Sequence, residues 1–149
     1  MKYSAIISGL AGSIALTLLH ETLRKNVSNA PRMDLMGEEG LEKILTAAHM
    51  EVPSEPKLFN LTMAGDIIGN AIYYANVGLK PKNSILNGAV LGLTAGIGAL
   101  TLPDKLGLTK EYSNATRKTQ VLTVAIYLFG GLVAGIVNQS LRDKKESKL

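Results

Sequence analysis

The sequence predicts an all-α integral membrane protein, a four-helix bundle with an additional interfacial amphipathic helix between the first two spans. Four apolar stretches are each long enough to cross a bilayer as a helix. They lie at about residues 3–23, 58–79, 84–102 and 119–141. Among the 16 basic and 12 acidic residues of the chain, only Glu21 and Asp66 fall within these stretches. A soluble bundle carries a polar stripe on each helix, and the third and fourth stretches have none.

The first stretch follows Lys2 and has the basic start and apolar middle of a signal peptide. It ends in His20, Glu21, Thr22, Leu23, Arg24 and Lys25. This ending contains no small-x-small cleavage site, so we predict a retained first span.

The polar segment after the first span contains a predicted amphipathic helix at about residues 33–50. Its apolar residues recur at helical spacing, while charged residues take the other side. The apolar positions are Leu41, Ile44, Leu45 and Ala48, and the charged ones are Glu38, Glu39, Glu42 and Lys43. Because its polar face is mainly acidic, we expect this helix to cap the bundle rather than to drive membrane binding.

The second span is the most polar of the four. It carries Asn60, Asp66, Asn70 and Asn76, so it should be shielded from lipid inside the bundle. Residues 80–83 leave only four residues for the turn to the third span. The second and third spans are therefore predicted to be antiparallel neighbours.

Small residues form faces on the predicted spans, which favours close helix packing. The glycines at these positions are Gly65, Gly69, Gly88, Gly92, Gly96, Gly131 and Gly135. A charged tail follows at residues 142–149. Basic residues are denser on the side of the termini, which predicts cytoplasmic termini.

Asp66 is the candidate intramembrane site, because it lies roughly 13 Å into its span, near the bilayer centre. A carboxyl group at that depth must be paired, protonated or in contact with water. With Thr17, Thr94 and Asn70 it could form a proton or cation site. Alternatively, a protonated carboxyl hydrogen-bonds to Thr17 or Thr94 and fixes helix register, or a basic residue of another subunit pairs with it.

His20 and Glu21 form a second candidate site at the end of the first span, with His49 as a possible third member. Such side chains could bind a metal ion or relay a proton. The alternative is that His20 and Glu21 pair with Arg24 or Lys25. We predict no catalytic residue and no cofactor, because no motif for a nucleotide, a hydrolytic nucleophile or a metal is present.

The basic residues flank apolar stretches and aromatic residues are scarce, so we expect the lipid bilayer as partner and no nucleic acid. The run from His20 to Leu41, HETLRKNVSNAPRMDLMGEEGL, after a glycine-rich first span, resembles a segment of uncharacterised small four-span bacterial inner-membrane proteins. The resemblance covers mainly residues 9–45 and implies a multi-pass protein of the bacterial inner membrane. Its signature residues are His20, Glu21, Pro31, Arg32 and Asp34.

Three functional hypotheses follow from these features. The first is association through small-residue faces, as a homo-oligomer or as an accessory subunit of another membrane protein. The second is a small proton- or cation-coupled transporter or channel centred on Asp66. The third is a membrane metal site or enzyme that uses His20, Glu21 and His49.

Overall fold

The computed structural model describes residues 2–79 and 83–147, and all regular secondary structure in these residues is helical. The helices are α1 (Lys2–Asn26), α2 (Met33–Ala47), α3 (Glu55–Tyr74), α4 (Ser84–Thr101), α5 (Glu111–Asn114) and α6 (Arg117–Glu146), with short 3-10 helices at Ala75–Gly78 and Asp104–Leu106. The all-α prediction is confirmed. The predicted turn at Lys80, Pro81 and Lys82 lies outside the described residues, as do Lys148 and Leu149 of the tail.

Three helices are long and apolar enough to cross a membrane, which indicates a membrane protein. In the part of the chain described, these helices are α1, α4 and α6. The helix α3 is long enough, but its mean hydropathy is too low. Its polar residues Asn60, Asp66 and Asn70 lower its hydropathy. At the other end of the chain, α6 continues past residue 141 into the predicted charged tail.

The four long helices are arranged side by side in the order α3, α1, α6, α4. The helix α1 packs between α3 and α6, and α6 packs between α1 and α4. The two outer helices, α3 and α4, contact each other little. This differs from the prediction that they are close neighbours. The two helices pack mainly on different partners, α3 on α1 and α4 on α6.

Glycines bring α4 and α6 into close contact. A Cβ atom added at Gly88 would clash with the carbonyl oxygen of Gly131, and one at Gly92 would lie 2.6 Å from the carbonyl oxygen of Tyr127. One at Gly135 would lie 2.6 Å from the carbonyl oxygen of Ser84. The two backbones can approach this closely only because these positions lack a side chain.

Buried aromatic and polar side chains link the helices. The hydroxyl of the fully buried Tyr74 donates a hydrogen bond to the carbonyl oxygen of Tyr127 (2.7 Å), and Ser13 donates to that of Ile67 (2.8 Å). The hydroxyl of Tyr73 donates to the carbonyl oxygen of Leu91 (3.0 Å) and thereby joins α3 to α4. Large apolar side chains cover the outside of the long helices, where a bilayer would meet them. Exposed examples are Ile6, Leu18, Ile72, Val90, Ile97 and Phe129.

The helix α2 is attached at both ends to the polar end of the molecule. At its start, the backbone N–H of Met33 lies 3.3 Å from Nε2 of His20, and the backbone N–H of Arg32 donates to the carbonyl oxygen of Tyr112 (2.8 Å). Further along, Glu39 accepts a hydrogen bond from the backbone N–H of Thr109 (2.8 Å). Lys43 bonds to Glu39 and to the carbonyl oxygen of Gly107. These contacts hold α2 over the gap between α3 and α4.

Candidate functional site

A groove lies beneath α2, between α3 and α4. It has two lobes, of about 360 Å³ and about 380 Å³. Both lobes are lined by Met33, Met36, Leu108 and Tyr127, so they adjoin. We call the first the Asp66 lobe and the second the Thr94 lobe, each after a residue that lines it. Together they have the size of a typical small-molecule site.

The Asp66 lobe contains two polar side chains of α3 in largely apolar surroundings. Asp66 and Thr62 are four residues apart and share one helix face. Thr62 is 5% exposed, and its hydroxyl has no hydrogen-bond partner among the residues described. In the same part of the chain, no ion pair or hydrogen bond reaches the carboxylate of Asp66. A carboxylate and an unpaired buried hydroxyl therefore face one cavity.

Gly37 lets α2 lie directly on these two side chains. A Cβ atom added at Gly37 would lie 2.6 Å from Cγ2 of Thr62 and 3.4 Å from Oδ2 of Asp66. Any larger residue would push α2 away from α3. Gly40, one turn further along α2, has only one atom near such a Cβ, the Cδ2 atom of Leu108 at 3.9 Å. The close contact is thus confined to the lobe.

The other residues predicted to accompany Asp66 lie apart from it. Thr94 lines the Thr94 lobe, where its hydroxyl donates to the carbonyl oxygen of Val90 (2.8 Å). Thr17 and Asn70 line neither lobe. The expected hydrogen bond from Asp66 to Thr17 or Thr94 is not formed in the described structure. The carboxylate lies against α2 instead, because α2 occupies the gap that separates α3 from α4.

Three residues of the site were not predicted from the sequence. Thr62 could have been found, because it lies one helical turn before Asp66. Gly37 and Tyr127 reach the lobe from α2 and α6, and their local sequence carries no signal of that placement.

His20 lies in a polar cluster where α1 meets α2. It is 4% exposed, and its Nε2 lies 3.1 Å from the carbonyl oxygen of Pro31 and 3.3 Å from the backbone nitrogen of Met33. In one tautomer Nε2 donates to Pro31, and in the other it accepts from Met33. In both tautomers the imidazole forms a hydrogen bond with the backbone at the start of α2. His20 therefore positions that helix.

Ion pairs surround His20. Arg24 donates two hydrogen bonds to Glu21, at 2.5 and 2.7 Å, and Lys25 lies 3.5 Å from the same carboxylate. Arg32 binds Asp34 through two nitrogens, with Nη2 2.7 Å from Oδ2 and Nε 3.0 Å from Oδ1. The predicted signature residues from His20 to Asp34 are therefore gathered in one cluster that joins α1 to the start of α2.

Two acidic groups on α2, Asp34 and Glu38, have opposite pKa shifts. Burial on its own would raise the pKa of Asp34, but the hydrogen bonds and charge of Arg32, together with His20 and Arg24, hold it below its usual value of 3.8. Burial raises the pKa of Glu38 above its usual 4.5, and the charges of Asp34 and Glu55 add to this effect. Asp34 is thus ionised and paired, whereas Glu38 shares a pocket with Asp34 and Glu55 as well as with Arg24 and Arg32.

His49 is not brought together with His20 and Glu21 as a metal-binding group. It lies exposed just after α2, with a left-handed backbone (φ 55°). Among the residues described, no group of three or more histidine, aspartate or glutamate side chains is arranged to hold a metal ion. The predicted metal site at His20, Glu21 and His49 therefore has no support in the described residues.

The predicted packing glycines have two kinds of environment. Cβ atoms at Gly88, Gly92, Gly96, Gly131 and Gly135 would all meet backbone atoms of the facing helix. Cβ atoms at Gly65 and Gly69 would meet nothing within 4 Å. The glycines of α4 and α6 are thus used within the chain, while this pair on α3 is uncovered.

The chain matches no protein-family model, no curated protein sequence and no solved structure.

Proposed function

We propose that the chain is a four-span integral protein of the bacterial inner membrane, with cytoplasmic termini, and that it acts as a small proton- or cation-coupled transporter at Asp66. The observation that carries this proposal is the Asp66 lobe, where a carboxylate shares a cavity with a buried hydroxyl that has no hydrogen-bond partner in residues 2–79 and 83–147. An ionisable group within a membrane-spanning region costs free energy, which favours a functional role.

The connections between helices support four crossings. At one end of the molecule, Thr119 at the start of α6 donates to the carbonyl oxygen of Asn29, just after α1 (2.9 Å). At the other end, a Cβ atom at Gly78, just after α3, would lie 2.9 Å from Cβ of Ala5 in α1. The chain thus leaves α1 at one end and enters α4 at the other. If α1 and α4 span the bilayer, α3 must cross it as well.

The depth of Asp66 supports its participation. It lies eleven residues after Glu55, the first residue of α3, which is about 16 Å along the helix axis. That is roughly half the thickness of a bilayer core. The groove is lined by residues of both α3 and α4, so a bound cation or proton would lie between two of the proposed spans.

Asp66→Asn is expected to abolish the flux of protons or cations into liposomes that contain the purified protein, because the amide cannot bind a proton or carry a negative charge. The measurement is the fluorescence of an enclosed pH- or cation-sensitive dye after a membrane potential is imposed. Asp104→Asn, at an exposed acidic residue outside the groove, serves as the matched control. Equal flux through the Asp66→Asn protein and the unchanged protein would contradict the proposal.

A second candidate function is association with a second copy through α3. The supporting observation is that Gly65 and Gly69 are uncovered, whereas the glycines of α4 and α6 are already packed. Small residues at this spacing let two helices approach closely in a membrane. An accessory role with a different membrane protein would use the same face.

Gly69→Leu is expected to remove a crosslinked homodimer from native membranes while the protein stays folded, because leucine blocks the close approach of two α3 helices. Ala125→Leu, on an exposed face of α6, is the control and should leave the dimer in place. The measurement is the dimer fraction after crosslinking with a reagent of fixed length. A dimer that survives Gly69→Leu would exclude this interface.

A further inference from the structure

The number of oxygen atoms in the Asp66 lobe restricts the kind of cation it can hold. The side chains of Asp66, Thr62 and Tyr127 supply two carboxylate oxygens, one hydroxyl oxygen and one phenolic oxygen. Calcium and magnesium ions need about six or more oxygen ligands, and potassium filters replace a whole hydration shell with carbonyl oxygens. An ammonium group has three N–H donors, which the carboxylate of Asp66 and the hydroxyl of Thr62 can accept.

The single negative charge of the lobe also sets the charge of its occupant. The other residues that line it are mostly apolar, among them Met36, Leu41 and Leu61. An ion in such surroundings is stable only when it is paired. A monovalent ammonium would neutralise Asp66 and give the hydroxyl of Thr62 the partner it lacks among the described residues.

The adjoining Thr94 lobe offers room for an apolar body attached to that ammonium. Its wall includes Ala95, Gly98, Ala99, Leu102 and Pro103. Tyr127 lines both lobes and provides an aromatic surface where they join. Met33 and Met36 form part of the wall of both, and methionine adapts to ligands of varied shape.

The groove opens toward the region that lipid would occupy. Exposed apolar residues line the lobes, with Ile44 and Leu61 in the Asp66 lobe and Leu102 and Leu106 in the Thr94 lobe. A ligand with an apolar body partitions into a bilayer and could reach the groove from the side. An inorganic ion would first have to lose its water in this apolar environment, which is costly.

We propose that the groove binds an organic monocation, a primary ammonium attached to an apolar body, with the ammonium against Asp66 and Thr62 and the body in the Thr94 lobe. This inference rests on the proposed function, because it names the substrate class of the Asp66 site.

The test is equilibrium dialysis of the purified protein in detergent against radiolabelled phenylbutylammonium. We expect saturable binding that Asp66→Asn weakens by about 10- to 100-fold, as for loss of a charge-assisted hydrogen bond. Thr62→Val, which keeps the shape of the side chain, should weaken binding by about two- to tenfold. Asp104→Asn should bind like the unchanged protein.

Two competitors separate this inference from simple apolar partitioning and from inorganic ion binding. Phenylbutanol, the neutral analogue, should compete poorly, and a molar excess of sodium or potassium chloride should not displace the ammonium. Equal competition by phenylbutanol, or binding that Asp66→Asn leaves unchanged, would overturn the inference. Thermal unfolding of each variant in the same detergent shows whether lost binding comes from lost folding.

The flux assay distinguishes failure of this inference from failure of the proposed function. Flux of protons or inorganic cations that depends on Asp66, without binding of phenylbutylammonium, would overturn the inference and leave the proposed function standing. Absence of both would overturn both. Binding of the ammonium together with its Asp66-dependent uptake into liposomes would support both.

Discussion

Gly92→Leu is expected to destabilise the folded protein strongly. A Cβ atom at Gly92 would lie 2.6 Å from the carbonyl oxygen of Tyr127 and 2.7 Å from Cα of Leu128. Backbone atoms cannot rotate away, so α4 and α6 would have to separate. Overpacking costs about 1–3 kcal/mol and occasionally more, and we expect about 3 kcal/mol here. The measurement is the free energy of unfolding, from circular dichroism during titration of a mild detergent with dodecyl sulfate.

Gly69→Leu is the matched control for Gly92→Leu, because both place a leucine at a helical glycine in an apolar segment. Nothing lies within 4 Å of a Cβ atom at Gly69, so its free energy of unfolding should change little. Should Gly92→Leu unfold at the same dodecyl sulfate fraction as Gly69→Leu, the close packing of α4 on α6 would be wrong.

Asp34→Asn is expected to lower the free energy of unfolding by about 2 kcal/mol at neutral pH. Asp34 is 2% exposed and pairs with Arg32, while Arg24 lies 3.8 Å away. Breaking a buried ion pair costs about 3–5 kcal/mol, and the smaller figure applies because Arg32 is 43% exposed and solvated. The measurement is the same dodecyl sulfate titration, with Asp104→Asn as an exposed acidic control.

The pH dependence of this effect has a definite sign. The pKa of Asp34 is lower in the folded than in the unfolded chain, so the folded state binds fewer protons at this site. Its contribution should be full above about pH 5 and decline progressively as the pH falls below that value. The difference between the Asp34→Asn and unchanged proteins should shrink accordingly. A difference that grows on acidification would show that the ion pair does not stabilise the fold.

Glu38 should oppose this trend in the same pH range. Its pKa is raised in the folded protein, so protonation stabilises the fold as the pH falls toward the raised value. The contribution of Glu38 to stability is therefore expected to increase on mild acidification, opposite in direction to the loss at Asp34.

The helices themselves could be predicted from the sequence because each depends on local pattern. Apolar runs give α1, α4 and α6, and the spacing of Leu41 and Leu45 indicates α2. The end of α6 was less predictable. Charged residues after position 141 remain helical, since helix formation there needs no apolar face.

The arrangement of the site could not be predicted, because it depends on contacts between distant parts of the chain. The sequence indicates that Asp66 needs a partner, and Thr17 and Thr94 are the partners expected from it. The structure instead sets Gly37 of α2 against it, 29 positions earlier in the chain. A glycine within a helix can allow a neighbouring helix to approach, or it can simply weaken its own helix. The sequence around residue 37 does not show which of these roles Gly37 has. The position of His49 was missed for the same reason.

The hydrogen bond from Tyr73 to the carbonyl oxygen of Leu91 has a geometric consequence for the groove. Tyr73 lies seven residues beyond Asp66, about 10 Å further along α3, and it joins α3 to α4 there. The groove is therefore held closed at the Tyr73 end, and α3 and α4 can move apart only at the end nearer α2. A wide occupant is accommodated by a small change in the angle between the two helices, whereas a long one meets Tyr73. The groove should thus discriminate among ligands by their length more than by their width.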